Sequence, residues 1–175
     1  MDFLELAKNR FSERRFDAAR PVEDGKLERI LEAGRIAPTA CNYQPQRFFV
    51  IRSESAREKL RQITRYHYNA PVVILVCYDT GKVWRNPSDR RFPDYDSGEQ
   101  DAAIAACNMM YAAEELGVHT LWIRGFDSQT VSDVFGLPEN LVPAMMLALG
   151  YPGERSAPAR LHFDRIPMEE MTKEL

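Results

Sequence analysis

Two basic clusters and one polar loop carry the residue types able to do chemistry. In "RFSERR", residues 10 to 15, Arg10, Ser12 and Arg14 alternate, so an extended segment points all three the same way. Two guanidinium forks and a hydroxyl suit a phosphate, which takes bidentate, charge-assisted donors. The competing reading is a solvated basic turn. Arg160 and Arg165 form the second cluster and by themselves read as surface charges. The loop "APTACNYQP", residues 37 to 45, crowds Thr39, Cys41, Asn42 and Gln44 between two prolines. Its amides can both donate and accept, so they either meet a ligand or satisfy the loop's own backbone.

Other site chemistries are not written here. No GxGxxG and no GxxxxGK[ST] occurs, so neither a dinucleotide fingerprint nor a P-loop is present. His67, His119 and His162 have no i, i+4 pairing, and no metal site is expected. Cys41, Cys77 and Cys107 are isolated, with no CxxC, so neither zinc nor a disulfide framework is indicated. A reducing, cytoplasmic setting follows. The formal net charge of −3 excludes nucleic acid as an expected partner. "MDFLELAKNR" lacks the basic and apolar regions of a signal peptide. The longest apolar run, "APVVILVCY", is far short of the ~20 residues of a membrane span.

The elements that must position these residues are well patterned. A helix fits residues 2 to 9, capped by Asp2, with Phe3, Leu6 and Ala7 on one face. Leu27, Ile30, Leu31 and Gly34 fall at i, i+3, i+4 and i+7 of a second helix that Pro38 terminates. "RFFVIRS" reads as a strand, then "ESAREKLRQIT" as a helix with Ala56, Leu60 and Ile63 inward. "VVILVCY" does not alternate, which indicates a strand buried on both faces. Residues 79 to 97 form a long excursion rich in turn formers. A helix over roughly 99 to 116 stops at Gly117. The strand "VHTLWIR", a helix capped by Asp127 with Val131, Val134 and Phe135 inward, and the strand "PAMMLALGY" follow. The tail from Pro152 has little periodicity. The chain length suits one domain over 1–175, an α+β three-layer α-β-α sandwich. Its edges need cover.

Several of these segments resemble one family, the nitroreductases, FMN-dependent oxidoreductases. "NRFSERRF" resembles that family's Arg-x-Ser-x-Arg opening, and "APTACNYQPQRFFVI" its Ala-Pro-Ser/Thr-x-x-Asn-x-Gln-Pro loop and following strand. "DAAIAACNMMYAAEELGVHTLWIRGFD" resembles its long helix, strand and Gly-Phe turn, and "LGYP" and "RIPMEEM" its usual end. The resemblance implies FMN as cofactor and NADH or NADPH as hydride donor. It further implies ping-pong delivery through flavin N5 to a nitroaromatic, quinone or similar small-molecule acceptor, with no catalytic side chain. Specialised relatives reduce free flavin, dehalogenate or fragment the flavin, and a non-catalytic flavin-binding module is a further alternative. By resemblance the cofactor contacts are Arg10, Phe11, Ser12 and Arg14 at the phosphate, with Arg165 and, more weakly matched, Arg160. Pro38, Thr39, Ala40, Asn42 and Gln44 would face the ring, Arg65 its N1–O2 side, and Arg124-Gly125 its N5. The same resemblance implies a mixed sheet of four strands plus one from a partner's tail. It makes the protein a homodimer in which residues 155–175 pack on the other subunit.

Overall fold

A computed structural model describes residues 2–175. Helix α1, Phe3–Asn9, begins with a reciprocal cap: Asp2 Oδ1 accepts from the Glu5 N–H, and Glu5 accepts from the Asp2 N–H. Helix α2 spans Asp24–Arg35 and buries Leu27, Ile30 and Gly34. Strand β1, Gln46–Ile51, leads to α3, Glu54–Ile63, whose first turn is capped by Ser53. Strand β2 is Val72–Asp79, helix α4 Gly98–Glu115, and strand β3 His119–Ile123. Helix α5, Ser128–Phe135, is capped by Asp127 and ends at Gly136 with φ of 65°. That left-handed conformation suits glycine. Strand β4 is Leu141–Gly150, and a single turn, α6, Met168–Met171, lies in the tail.

The sheet runs β1-β2-β4-β3. In β2, Val72, Ile74 and Val76 face one layer with Leu27, Ile30 and the α4 residues Ala102, Ala106 and Met109. Val73, Leu75 and Cys77 face the other, against Leu60 of α3 and Val131 of α5. Helices α2 and α4 thus cover one face and α3 and α5 the other. The apolar run without alternation is explained, because both faces of β2 are dry. Pro143 sits in the central strand β4 where the register against β2 slips between Val76 and Cys77. An irregularity is where a strand tolerates a residue without an N–H.

Two expectations are corrected. The sheet is not mixed: every strand pair is antiparallel. Ile51 at the end of β1 pairs with Val73 at the start of β2, so residues 52–71 leave and re-enter the sheet at the same end. Hydrophobic period reports a helix between two strands but not whether the connection crosses the sheet. The tail is less irregular than its sequence suggests, with a 3₁₀ turn over Arg160–His162 besides α6. Phe3 of α1 is 62% exposed, its ring 5.0 Å from that of Tyr111.

Leu147 is fully buried at the centre of the α2–α4 face. Leu147→Ala is expected to lower unfolding free energy by about 2–5 kcal/mol, read from urea denaturation midpoints at constant slope.

Candidate functional site

The strip between α1 and α2 becomes strand-like because the free edge of β3 gives it partners. Ser12 forms a parallel bridge with Thr120, and the Glu13 N–H donates to the Thr120 carbonyl at 3.0 Å. Further on, Phe16 bridges Pro152, and the Gly153 N–H donates to the Arg15 carbonyl at 2.7 Å. This docking turns the alternation of Arg10, Ser12 and Arg14 into geometry. Together with Phe11 they line a cavity of about 470 Å³, closed on its other side by Ala159, Leu161, His162 and Arg165 of the tail. No acidic residue lines it. Arg10 Nε is buried with no hydrogen-bond partner, a state costly for a guanidinium donor. A phosphate is the kind of group that satisfies such a donor set.

A second cavity, of about 350 Å³, adjoins the first. It is lined by Arg14, Tyr66, Tyr68 and residues 121–125, so Arg14 belongs to both cavities. Gly125 is needed here: a Cβ at this position would stand 2.4 Å from the Tyr66 ring. Thr64 ties the two segments, since its hydroxyl donates to the Gly125 carbonyl at 2.8 Å and accepts from the Tyr66 N–H. Arg65 is exposed and donates to the Tyr66 hydroxyl at 3.1 Å; that bond holds its guanidinium above its ordinary range. Arg124 lies 3.7 Å from Glu99 and over the Phe126 ring. Nearby, burial pushes the Tyr78 phenol up, and Asp96 and Glu99 act in the same direction.

The loop over 38–44 stands apart. The Ala40 N–H donates to Oδ1 of buried Asp101 at 2.9 Å, and the Ser97 hydroxyl donates to the same carboxyl. Loop and the start of α4 are thereby joined. Thr39 accepts from the Gln44 N–H, and the Gln44 amide donates to the Asn42 carbonyl, so part of the loop's polarity satisfies its own backbone. Cys41, Asn42 and Gln44 hold φ of 51°, 56° and 52°, a left-handed conformation strained for non-glycine residues. Pro38 and Asn42 are exposed, and no residue of the loop lines either cavity. Arg160 is also outside: its side chain is 85% exposed and faces Asp164.

Of the expected residues, then, Arg10, Phe11, Ser12, Arg14, Arg124, Gly125 and Arg165 line one or both of these cavities. Pro38, Thr39, Ala40, Asn42, Gln44, Arg65 and Arg160 do not. Tyr66, Tyr68, Trp122 and His162 escaped the sequence reading. For the tyrosines a signal existed: "RYHYN" puts two aromatics directly after a helix end. His162 had none, because its place depends on a 2.9 Å contact with the Lys8 carbonyl, far away in sequence.

Comparison with known proteins now bears on this geometry. The nitroreductase family profile matches residues 7–67 and 66–151. The chain belongs to the nitroreductase family. A protein of Methanothermobacter thermautotrophicus, provisionally named an NADH dehydrogenase/NAD(P)H nitroreductase, is 30% identical over 94% of this chain and 88% of its own length. The crystal structure of a nitroreductase family protein from Clostridium difficile superposes with a TM-score of 0.90 at 38% identity, covering 99% of this chain and 98% of the other. A protein of Exiguobacterium sibiricum, solved in complex with FMN, superposes with a TM-score of 0.82 at 23% identity over 100% and 98% of the two chains.

The cysteines of this nitroreductase differ sharply in setting. Cys41 is exposed, whereas Cys77 is buried, and burial pushes its thiol up to about 12. Ellman's reagent at pH 8 is expected to label Cys41 in the folded protein and Cys77 only after denaturation. At that pH the Cys77 thiolate, the reactive form, is a minute fraction. Labelling of Cys77 under native conditions is the contrary result.

Proposed function

We propose that the chain is an NAD(P)H-dependent FMN oxidoreductase that reduces a nitroaromatic, quinone or similar acceptor by letting donor and acceptor occupy one open site in turn. FMN dependence and NAD(P)H as donor follow from membership of the nitroreductase family, and an FMN-bound structure shares the fold. One observation carries the assignment to this site: Arg14 joins an acid-free cavity lined by arginines to an aromatic-walled one. A phosphate at one end and a flat ring at the other match that pair.

When bound, FMN would supply the two-electron redox chemistry between NAD(P)H and the acceptor. The chain's own groups bind and orient. Arg10, Ser12, Arg14 and Arg165 would hold the phosphate. Tyr66, Tyr68 and Trp122 would wall the ring, with Arg124 and Gly125 at its edge. No side chain is assigned a proton transfer.

We further infer that residues 1–175 act as one FMN-binding unit and that the working form is a homodimer. Leu161, Phe163, Ile166, Met168 and Met171 are each 58–70% exposed on a single chain. Among the described residues strand β1 pairs only with β2, so its outer edge is open to a fifth strand. The loop over 38–44 lines neither of these two cavities in its own chain, and a second copy would bring it to the partner's site. In this reading residues 155–175 dock on the partner and bury more than ~2,000 Å², as obligate dimers do.

Arg14→Ala is expected to weaken FMN affinity roughly 10- to 150-fold, the loss of one charge-assisted phosphate bond, while Arg160→Ala stays close to wild type. Titration of the apoprotein, followed by flavin fluorescence, measures both; equal effects would count against the assignment. Sedimentation at low micromolar concentration, followed at the flavin band, tests the assembly. The full chain should run as a yellow dimer, and the chain lacking residues 155–175 should lose dimerisation and colour together.

A further inference from the structure

Glu13 lies between the cavity-lining residues Ser12 and Arg14, yet it is 1% exposed. A polar group is buried so completely without penalty only when its bonds are met, and here they are met from three directions. Its Oε1 accepts from the Arg14 N–H at 2.9 Å and from the Arg15 N–H at 2.7 Å. Its Oε2 accepts from the hydroxyl of Ser156, at the start of the tail. His119 of β3 brings Nδ1 to 3.3 Å from the same oxygen without hydrogen-bond alignment.

The two sides joined by this carboxyl are the two walls of the arginine-lined cavity. One wall is the strip carrying Arg10, Ser12 and Arg14; the other is the tail carrying Ala159, Leu161, His162 and Arg165. The remaining stitches between them near Glu13 are made by Arg15, whose carbonyl accepts from Gly153 and whose guanidinium donates to the Arg155 carbonyl. Glu13 alone bonds the backbone N–H of Arg14 itself and the tail at once. Alternation along the strip sends Ser12 and Arg14 to the cavity and Glu13 inward, so the carboxyl sets their spacing without facing the ligand.

We propose that Glu13 is a positioning residue for the cofactor phosphate: it sets the separation of the arginine strip from the tail, so that Arg14 and Arg165 close on one phosphate. This rests on the FMN reading above. Because the role is geometric, it depends on acceptor atoms rather than on charge. A glutamine keeps an oxygen for the two N–H groups and an amide for Ser156; an alanine leaves the Arg14 and Arg15 N–H groups unpaired.

The test compares FMN with riboflavin, which lacks the phosphate, by fluorescence titration of the apoprotein, with melting temperatures measured alongside. Glu13→Ala should reduce the ratio of FMN to riboflavin affinity by about tenfold or more, the scale of one lost phosphate contact. Glu13→Gln should restore the ratio to within about threefold. Ser156→Ala, which severs only the tail side, should lower the ratio in the same direction and keeps the test decisive if Glu13→Ala does not fold. A role in folding alone would lower melting temperature and weaken both flavins together, and that result overturns the proposal. So does an unchanged ratio in both Glu13→Ala and Ser156→Ala while wild type binds FMN. A wild-type protein that binds neither flavin would overturn the FMN reading and this proposal with it.

Discussion

Strands β2 and β4 are dry on both faces, and that constraint organises the molecule. Residues Val73 through Val76 and Met146 through Leu149 are at or near zero exposure. No such strand can stand at a sheet edge or face water, so each must be flanked by strands and covered by helices on both sides. The three layers follow, with α2 and α4 against one face and α3 and α5 against the other. The two remaining strands become the edges. One edge, β3, is where the chain's own strip over 12–13 docks. The other, β1, stays open.

The candidate site is a product of that arrangement. Four segments distant in sequence meet beside β3: the strip after α1, the turn after α3, the end of β3 itself and the tail. Each is tethered by a small number of specific bonds. Thr64 holds the turn to Gly125, His162 holds the tail to the end of α1, and Glu13 holds the strip to Ser156. Bonds of this kind contribute only about 1 kcal/mol each. They are nonetheless what sets the distances between cationic groups, which would otherwise repel and separate. An anion in that cavity would relieve the repulsion, so binding and local order reinforce each other.

A single chain leaves the opposite kind of surface as well. The tail's apolar side chains and the strained loop over 41–44 have little in their own chain to pack against. Left-handed conformations at Cys41, Asn42 and Gln44 cost free energy, of order 1–3 kcal/mol each at worst. Only surrounding contacts hold such a loop in shape. The bond from Ala40 to Asp101 anchors it on one side, and in the dimer proposed here the partner supplies the other.

The sequence by itself determined the elements. The period of Leu27, Ile30 and Gly34, the caps at Asp2 and Asp127, the stop at Gly136 and the apolar run of β2 are local signals. Local signals survive whatever the rest of the chain does. The alternation of Arg10, Ser12 and Arg14 is likewise a local signal, and the three residues line one cavity. Tertiary structure alone decided that the sheet is antiparallel, that Arg165 and not Arg160 lines the cavity beside the strip, and that Tyr66 and Tyr68 line the second cavity. It alone decided the place of Glu13, which in sequence is one more charge in a charged stretch. The physical reason is the same in each case. Periodicity states which face of an element is apolar, whereas strand direction and the company of a side chain depend on contacts between residues distant in sequence, from Ile51 with Val73 to Glu13 with Ser156.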